Sequence, residues 1–342
     1  MDRSIFLLCA CLVLGGCARP PVELEMSGAT MGTSYSLKIV APPADVDTAA
    51  VQTLIDEILA RIDRSMSAYR SDSEISRFNA SNSTHWFDVS EDLARVVQSA
   101  LRFSEESGGA FDVTVAPLVA AWGFGAAEKT PPSIPEPATL DALLASTGYE
   151  KLQVRMQPPA LRKNAAALQI DLNAIAPGYA VDRIGEGLSS MGVERYMINV
   201  GGEVRVRGRN AQGDAWKIAA ERPVDGEPVP YAILRLSDLA VTTSGEYRHY
   251  YEIDGRRYSH TIDPRTGRPV QHSLASVVVI GPTSMYTDGW ATALNVLGAQ
   301  AGYELAVQRD IRAMFIESQD GRLRWRATPG FEPYLSWPGT RE

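Results

Sequence analysis

Two hydrophobic periods share this chain, and the irregular order in which they follow one another constrains the fold more than any other feature of the sequence. Tyr35, Leu37 and Ile39 alternate with polar neighbours inside a strand-like stretch over residues 24–40, the period of two that a half-buried strand needs. Val51, Leu54, Ile55, Ile58, Leu59 and Ile62 then recur at three- and four-residue spacing, one face of an amphipathic helix. A second helix is predicted from about residue 91 to 107, stopped by Gly108-Gly109. The proline-rich residues 128–137 read as a surface excursion. Strand-like segments at 152–154 and 168–172 lead into a helix over 177–191, with Pro177 in its first turn. Further β runs are predicted at 196–206, 216–220, 232–236, 247–253 and 275–280, then helices at 285–297 and 303–308 and a last strand at 313–316. Helices and strands mix without strict βα alternation, so an α+β fold is predicted rather than a doubly wound sheet. No internal repeat and no boundary between independent domains is visible, and residues 24–342 read as one large domain.

The amino terminus has a different character. Arg3 precedes an apolar run over residues 5–14 that ends in Leu14-Gly15-Gly16-Cys17, the pattern of a signal peptide with a lipobox. Such a run is too short to span a bilayer as a helix, which takes about 20 residues. Removal of residues 1–16 would leave Cys17 for lipid attachment and residues 17–23, with Pro20 and Pro21, as a short tether. Several acyl chains make a durable anchor where one binds only marginally, so the protein is expected on a bacterial membrane, facing the periplasm. Which membrane stays open, because Ala18 follows Cys17 where an aspartate would favour inner-membrane retention. Cys9 and Cys11 fall in the removed segment, so Cys17 is the one cysteine left and no disulfide forms. A body of this size buries enough surface to stand without one. The net charge of -8 argues against a nucleic-acid partner, which calls for a basic face.

Several side chains could carry chemistry. Asp288 and Thr292 lie four apart on a predicted helix, so their oxygens project from one face. A carboxylate and a hydroxyl are hard ligands of the kind Mg2+ takes, with waters and substrate phosphates completing the shell; an Asp early in a helix can equally serve the helix dipole. His260 is one of four histidines and precedes Asp263-Pro264-Arg265-Thr266-Gly267. An imidazole can take a proton near neutral pH, or it can be a hydrogen-bonded structural group, and Asp263 could cap the following turn. The glycine pairs 108–109 and 201–202, with Thr243-Ser244-Gly245, could bring backbone N–H groups to a diphosphate or simply serve turns and bulges. Neither a Walker signature nor a G-x-G-x-x-G opening a helix is present, which leaves no conventional P-loop or Rossmann site. Met31, Tyr69, Phe111 and Trp122 could sandwich an aromatic ring or pack in the core.

These segments, taken in order, resemble the ApbE family of flavin transferases. The matching pieces include Met31-Gly32-Thr33, Ser67-Ala68-Tyr69, Phe78-Asn79, Gly108-Gly109-Ala110-Phe111-Asp112 and Trp122-Gly123-Phe124-Gly125. They continue through Asp171-Leu172-Asn173-Ala174-Ile175-Ala176, Gly178-Tyr179-Ala180, Asn199-Val200-Gly201-Gly202, Thr243-Ser244-Gly245 and the segment His260 to Gly267. The resemblance implies a single ApbE-like, T-fold-like α+β domain that binds FAD. It implies Mg2+ held by Asp288, Thr292 and the main-chain carbonyl of Ala174, and FAD contact at Met31, Tyr69, Ala110, Phe111, Asp112, Asp171 and Thr261. His260, helped by Asp288, would be the catalytic base, and Trp122 is read as structural. Pro177 stands at a nucleotide-contact position where the family commonly has lysine or less often glutamate; proline offers neither a charge nor an N–H. The implied reaction moves the FMN part of FAD to a threonine or serine of a membrane-associated flavoprotein subunit of an electron-transfer complex, releasing AMP. Two other readings fit the same residues: a Mg2+-dependent FAD pyrophosphatase, and a lipoprotein that binds FAD without turnover.

Overall fold

A computed structural model describes residues 21–125, 133–224, 226, 229–245 and 250–337. The lipobox and Cys17, the first half of the proline-rich excursion and the start of the β run at 247 lie outside the described residues. Seven helices are described: α1 (Thr48–Met66), α2 (Glu74–Ala80), α3 (Glu91–Glu106), α4 (Ala116–Ala121), α5 (Pro137–Ser146), α6 (Ala176–Ser190) and α7 (Ser284–Gln308). The predicted helices correspond to α1, α3, α6 and the two halves of α7, which is broken at Gly298 by a φ of 77°.

The centre is an eight-stranded sheet of Glu23–Thr30, Thr33–Val40, Tyr196–Val200, Glu203–Arg207, Ala240–Gly245, Leu274–Gly281, Arg312–Gln319 and Arg322–Ala327, in that spatial order. Every pairing is antiparallel, so the sheet is a meander with helices inserted between strands. Leu274–Gly281 shows how it is held. Val277 and Val279 point to a core shared with α1, α3, α6 and α7. Val278 and Ile280 point to the opposite core, where Trp216, Leu234 and Leu236 of a three-stranded sheet pack. A strand buried on both faces reads as an unbroken apolar run, and each fully buried Val or Ile contributes about 1.5–3 kcal/mol. The α+β expectation holds, with helices on one face of the sheet and a small sheet on the other.

Four local expectations are corrected. Residues 24–40 form two strands folded back at Met31-Gly32, where φ is 48° and 72°; a two-residue turn with positive φ matches the strand twist and keeps the period of two running through it. Residues 168–172 form no strand. Leu168, Ile170 and Leu172 are buried as the alternation suggests, yet their backbone is tied elsewhere: Asn79 both donates to the Ile170 carbonyl and accepts from its N–H, each at 2.8 Å. The Lys163 ammonium donates to the carbonyls of Leu168, Phe78 and Asn79. Alternation marks one-sided burial, and a ladder partner is a separate matter. The strand at 313–316 is not the last, since Arg322–Ala327 and Leu335–Trp337 follow it. The short α2, α4 and α5 carry too few apolar repeats to be predicted. Among the described residues no helix is long and apolar enough to cross a membrane.

Candidate active site

The junction of α6 and α7 brings Asp288 against the first turn of the helix that Ala174 leads into. Ile175 at the start of α6 has no side-chain oxygen to cap the helix, and the first turn of any helix leaves N–H groups unpaired. The Gly178 N–H is satisfied from outside, donating to Asp288 Oδ2 at 3.0 Å. This approach requires glycine. A Cβ at 178 would lie 2.6 Å from the Ser284 carbonyl oxygen and 2.9 Å from Asp288 Cβ. Ala174 sits at the entry to α6, and Thr292 lies one turn beyond Asp288 on α7; both are half-buried. Among the described residues no three His, Cys, Asp or Glu side chains converge as a metal cage. One carboxylate with a hydroxyl and a carbonyl fits Mg2+, which is commonly held by one or two carboxylates plus substrate phosphates.

The electrostatics agree with that donor set. Asp288 is buried, and its carboxyl is held well above the usual carboxylate range, first by burial, then by the negative charge of Glu203, with a smaller contribution from Asp182; the Gly178 N–H pulls the other way. Glu203 follows the Gly201-Gly202 turn, and burial pushes its carboxyl up to about 7. A divalent cation would reverse this balance, because it favours the ionised form of its ligand. Glu203 was missed in the sequence. An acid directly after a glycine pair is the one local hint, and it reads equally as surface.

The other predicted residues fall into two groups. Met31 forms the tip of the first hairpin and leans on the core, while Tyr69 is 69% exposed. Ala110 and Phe111 are buried, and Phe111 packs edge-on against Phe103 at 5.8 Å. Both carboxylate oxygens of Asp112 are engaged, Oδ1 with the Thr114 N–H and hydroxyl and Oδ2 with the Tyr149 N–H, and burial raises that carboxyl. Any nucleotide contact from 110–112 therefore runs mainly through backbone. The Asp171 N–H donates to the Val113 carbonyl at 2.7 Å, which joins the 110–113 and 171–174 segments. Pro177 occupies the first turn of α6, half-buried beside Gly178.

His260 lies on a second arm. It is half-buried between the strands Arg256–Ser259 and Ile262–Asp263, its ring edge-on to Phe124 at 6.4 Å. Thr261 follows it, with its carbonyl accepting from the Val270 N–H. Asp263 organises the turn, accepting from the N–H and guanidinium of Arg265. Trp122 is structural: buried, it stacks on Tyr258 and donates from Nε1 to the Gly267 carbonyl at 2.8 Å. This arm is tied back to α7 where His272 Nε2 meets the Asn295 carbonyl at 2.8 Å, and Asn295 donates to Ser244 Oγ at 3.2 Å. Asn295 is three residues beyond Thr292, so the Thr243-Ser244-Gly245 segment converges on the same helix as the proposed ligands.

Known proteins resemble this chain along nearly its whole length. The model of the ApbE family matches residues 31–315. The chain is 41% identical over 336 residues to an FAD:protein FMN transferase of Vibrio cholerae, covering 98% of this chain and 100% of that protein. It is 40% identical to an FAD:protein FMN transferase of Salmonella typhimurium, over 97% of each. The structure of the flavin transferase ApbE from Vibrio cholerae superposes with a TM-score of 0.85 at 40% identity, covering 92% of this chain and 100% of that one. An apo flavinyl transferase ApbE of Pseudomonas stutzeri gives 0.85 at 35% identity, covering 93% and 98%.

Proposed function

Since the chain belongs to the ApbE family, we propose that it is an FAD:protein FMN transferase that works with Mg2+. The observation that carries the reading is the α6–α7 junction, where a buried carboxylate, with a hydroxyl one turn further along its helix, meets the start of a second helix at a glycine that admits no side chain. Asp288, Thr292 and the Ala174 carbonyl would hold the metal. When bound, Mg2+ neutralises the charge of the FAD diphosphate and polarises its phosphorus. The chain's own residues do the remainder. Tyr69 and Met31 cover a ring of the dinucleotide, and the backbone around 110–112 and Asp171 hold its other portion. His260 takes the proton from a threonine or serine hydroxyl of the acceptor. That oxygen forms a bond to the FMN-side phosphorus, the bond to the bridging oxygen breaks, and AMP leaves with the electron pair. FMN stays on the acceptor as a phosphoester.

Residues 1–16 are read as a signal peptide and Cys17 as the lipid anchor, which would hold the enzyme on a membrane facing periplasmic flavoprotein subunits. The deciding experiment incubates the protein with FAD, Mg2+ and candidate acceptor domains and measures acceptor mass. An FMN-sized increase on a threonine or serine, with AMP in equal amount, supports transfer. AMP and unattached FMN make the protein a pyrophosphatase, and FAD recovered intact makes it a binding protein.

A further inference from the structure

Asp182, in the second turn of α6, is a buried carboxylate that the proposed mechanism does not use. Its bonds all leave its own helix. Oδ1 accepts the Ser284 N–H at 2.9 Å and Oδ2 the Met285 N–H at 2.9 Å, while Arg205 NH1 donates to Oδ1 at 2.7 Å. Ser284 and Met285 open α7. The next N–H, of Tyr286, goes to the Thr283 side chain, and that of Thr287 to the Thr283 carbonyl. The buried start of α7 thus has each of its first four N–H groups satisfied, two of them by a carboxylate from another helix.

The exchange is reciprocal. Asp182 of α6 caps the start of α7, and Asp288 of α7 caps the start of α6 through the Gly178 N–H. Residues 178 and 182 are one turn apart on α6, as 284 and 288 are on α7, so the two bonds form rungs between helices running in opposite directions. Two rungs a turn apart fix both the register and the spacing of the helices, which one rung cannot do. They also commit Oδ2 of Asp288 to Gly178 and so set where Oδ1 points. A cap chosen only for helix stability could have been a neutral serine or threonine. The carboxylate here serves two N–H groups at once and meets its counter-charge in Arg205 on the central sheet, anchoring the pair to a rigid element.

We propose that Asp182 is a positioning residue of the metal site, fixing the register of α7 against α6 and thereby the direction in which Asp288 offers its second oxygen to a divalent cation. The inference rests on the metal reading given above. Groups that orient a ligand from behind typically govern metal affinity by about 10- to 100-fold.

The test titrates Mg2+ calorimetrically into the full-length chain saturated with ADP, whose diphosphate stands in for that of FAD with no flavin to transfer. D182N keeps shape and one acceptor oxygen but loses the second acceptor and the charge that Arg205 meets. Its Mg2+ affinity should fall about 10- to 100-fold, ADP affinity in chelator should match the parent, and saturating Mg2+ should restore most of the parent's AMP release from FAD. A lowered melting temperature with unchanged Mg2+ affinity makes Asp182 a structural cap and overturns the proposal alone. A parent that binds no Mg2+ overturns the metal reading and this proposal together. Amide exchange on the parent decides the matter if D182N fails to fold: Mg2+ should slow exchange at Ser284, Met285 and Gly178 together, and exchange that Mg2+ leaves unchanged at Ser284 and Met285 refutes the coupling.

Discussion

Gly178→Ala tests whether the spacing of α6 and α7 is what builds the site. The added Cβ would stand 2.6 Å from the Ser284 carbonyl oxygen and 2.8 Å from its carbon, backbone atoms that no rotamer change can move. Restoring ordinary van der Waals separation means parting the helices locally by about 0.8 Å. Overpacking of this kind costs about 1–3 kcal/mol, offset by up to about 1 kcal/mol because alanine suits a helix better than glycine. The net loss of about 1–2 kcal/mol should lower the melting temperature by roughly 1–3 °C in a domain of this size. The same displacement moves Asp288 away from Ala174, and misplacement by close to 1 Å can cost about 100-fold in rate. Gly187→Ala is the control. It lies on the same helix, and its Cβ meets the Leu54 side chain at 2.8 Å, so it strains the packing far from the metal ligands. Melting curves and AMP release at several Mg2+ concentrations should show both variants destabilised and only Gly178→Ala impaired per folded molecule. Parent-like turnover in Gly178→Ala, or an equal loss in Gly187→Ala, would refute the reasoning.

Four further outcomes are expected. Asp288→Asn keeps an acceptor for the Gly178 N–H while removing a buried charge that faces Glu203; in chelator it should melt no lower than the parent at neutral pH, and Mg2+ should no longer raise its melting temperature, whereas a Mg2+ response equal to the parent's would strike Asp288 from the ligand set. Glu203 has a carboxyl raised from 4.5 to about 7 in the folded state, so the folded protein holds the extra proton and its contribution to stability is fully present below about 4.5 and lost as pH rises to about 7; Glu203→Gln should flatten that part of the metal-free stability profile, and an unchanged slope would show that Glu203 does not titrate there. His260→Ala should retain FAD binding and lose about 100- to 10,000-fold in transfer, and parent-rate transfer at neutral pH would remove His260 from the mechanism. Cys17→Ser should abolish incorporation of labelled fatty acid, and labelling at the parent level would refute the lipobox.

Sequence alone determined the elements whose physics is local. The repeats in α1, α3 and α6 and the alternation of Tyr35, Leu37 and Ile39 each record one buried face, and a buried face leaves its period in the chain whatever covers it. The glycines after α3 and at 201–202 take the positive φ values that mark chain reversals, and the four-residue spacing of Asp288 and Thr292 places them on one helix face before any neighbour is known. Tertiary structure decided the rest. Whether Leu168, Ile170 and Leu172 belong to a strand depended on Asn79, which claims that backbone from far away in sequence, and on nearby Lys163, which takes the Leu168 carbonyl. That Phe111 packs in the core depended on Phe103, which meets it from α3. Glu203 and Asp182 acquire meaning only opposite Asp288 and the start of α7, because a carboxyl's pKa and a cap's target are set by groups that sequence separation does not reveal. Periodicity reports that a side chain is buried; only the folded chain specifies the partner, and at this site the partners are the chemistry.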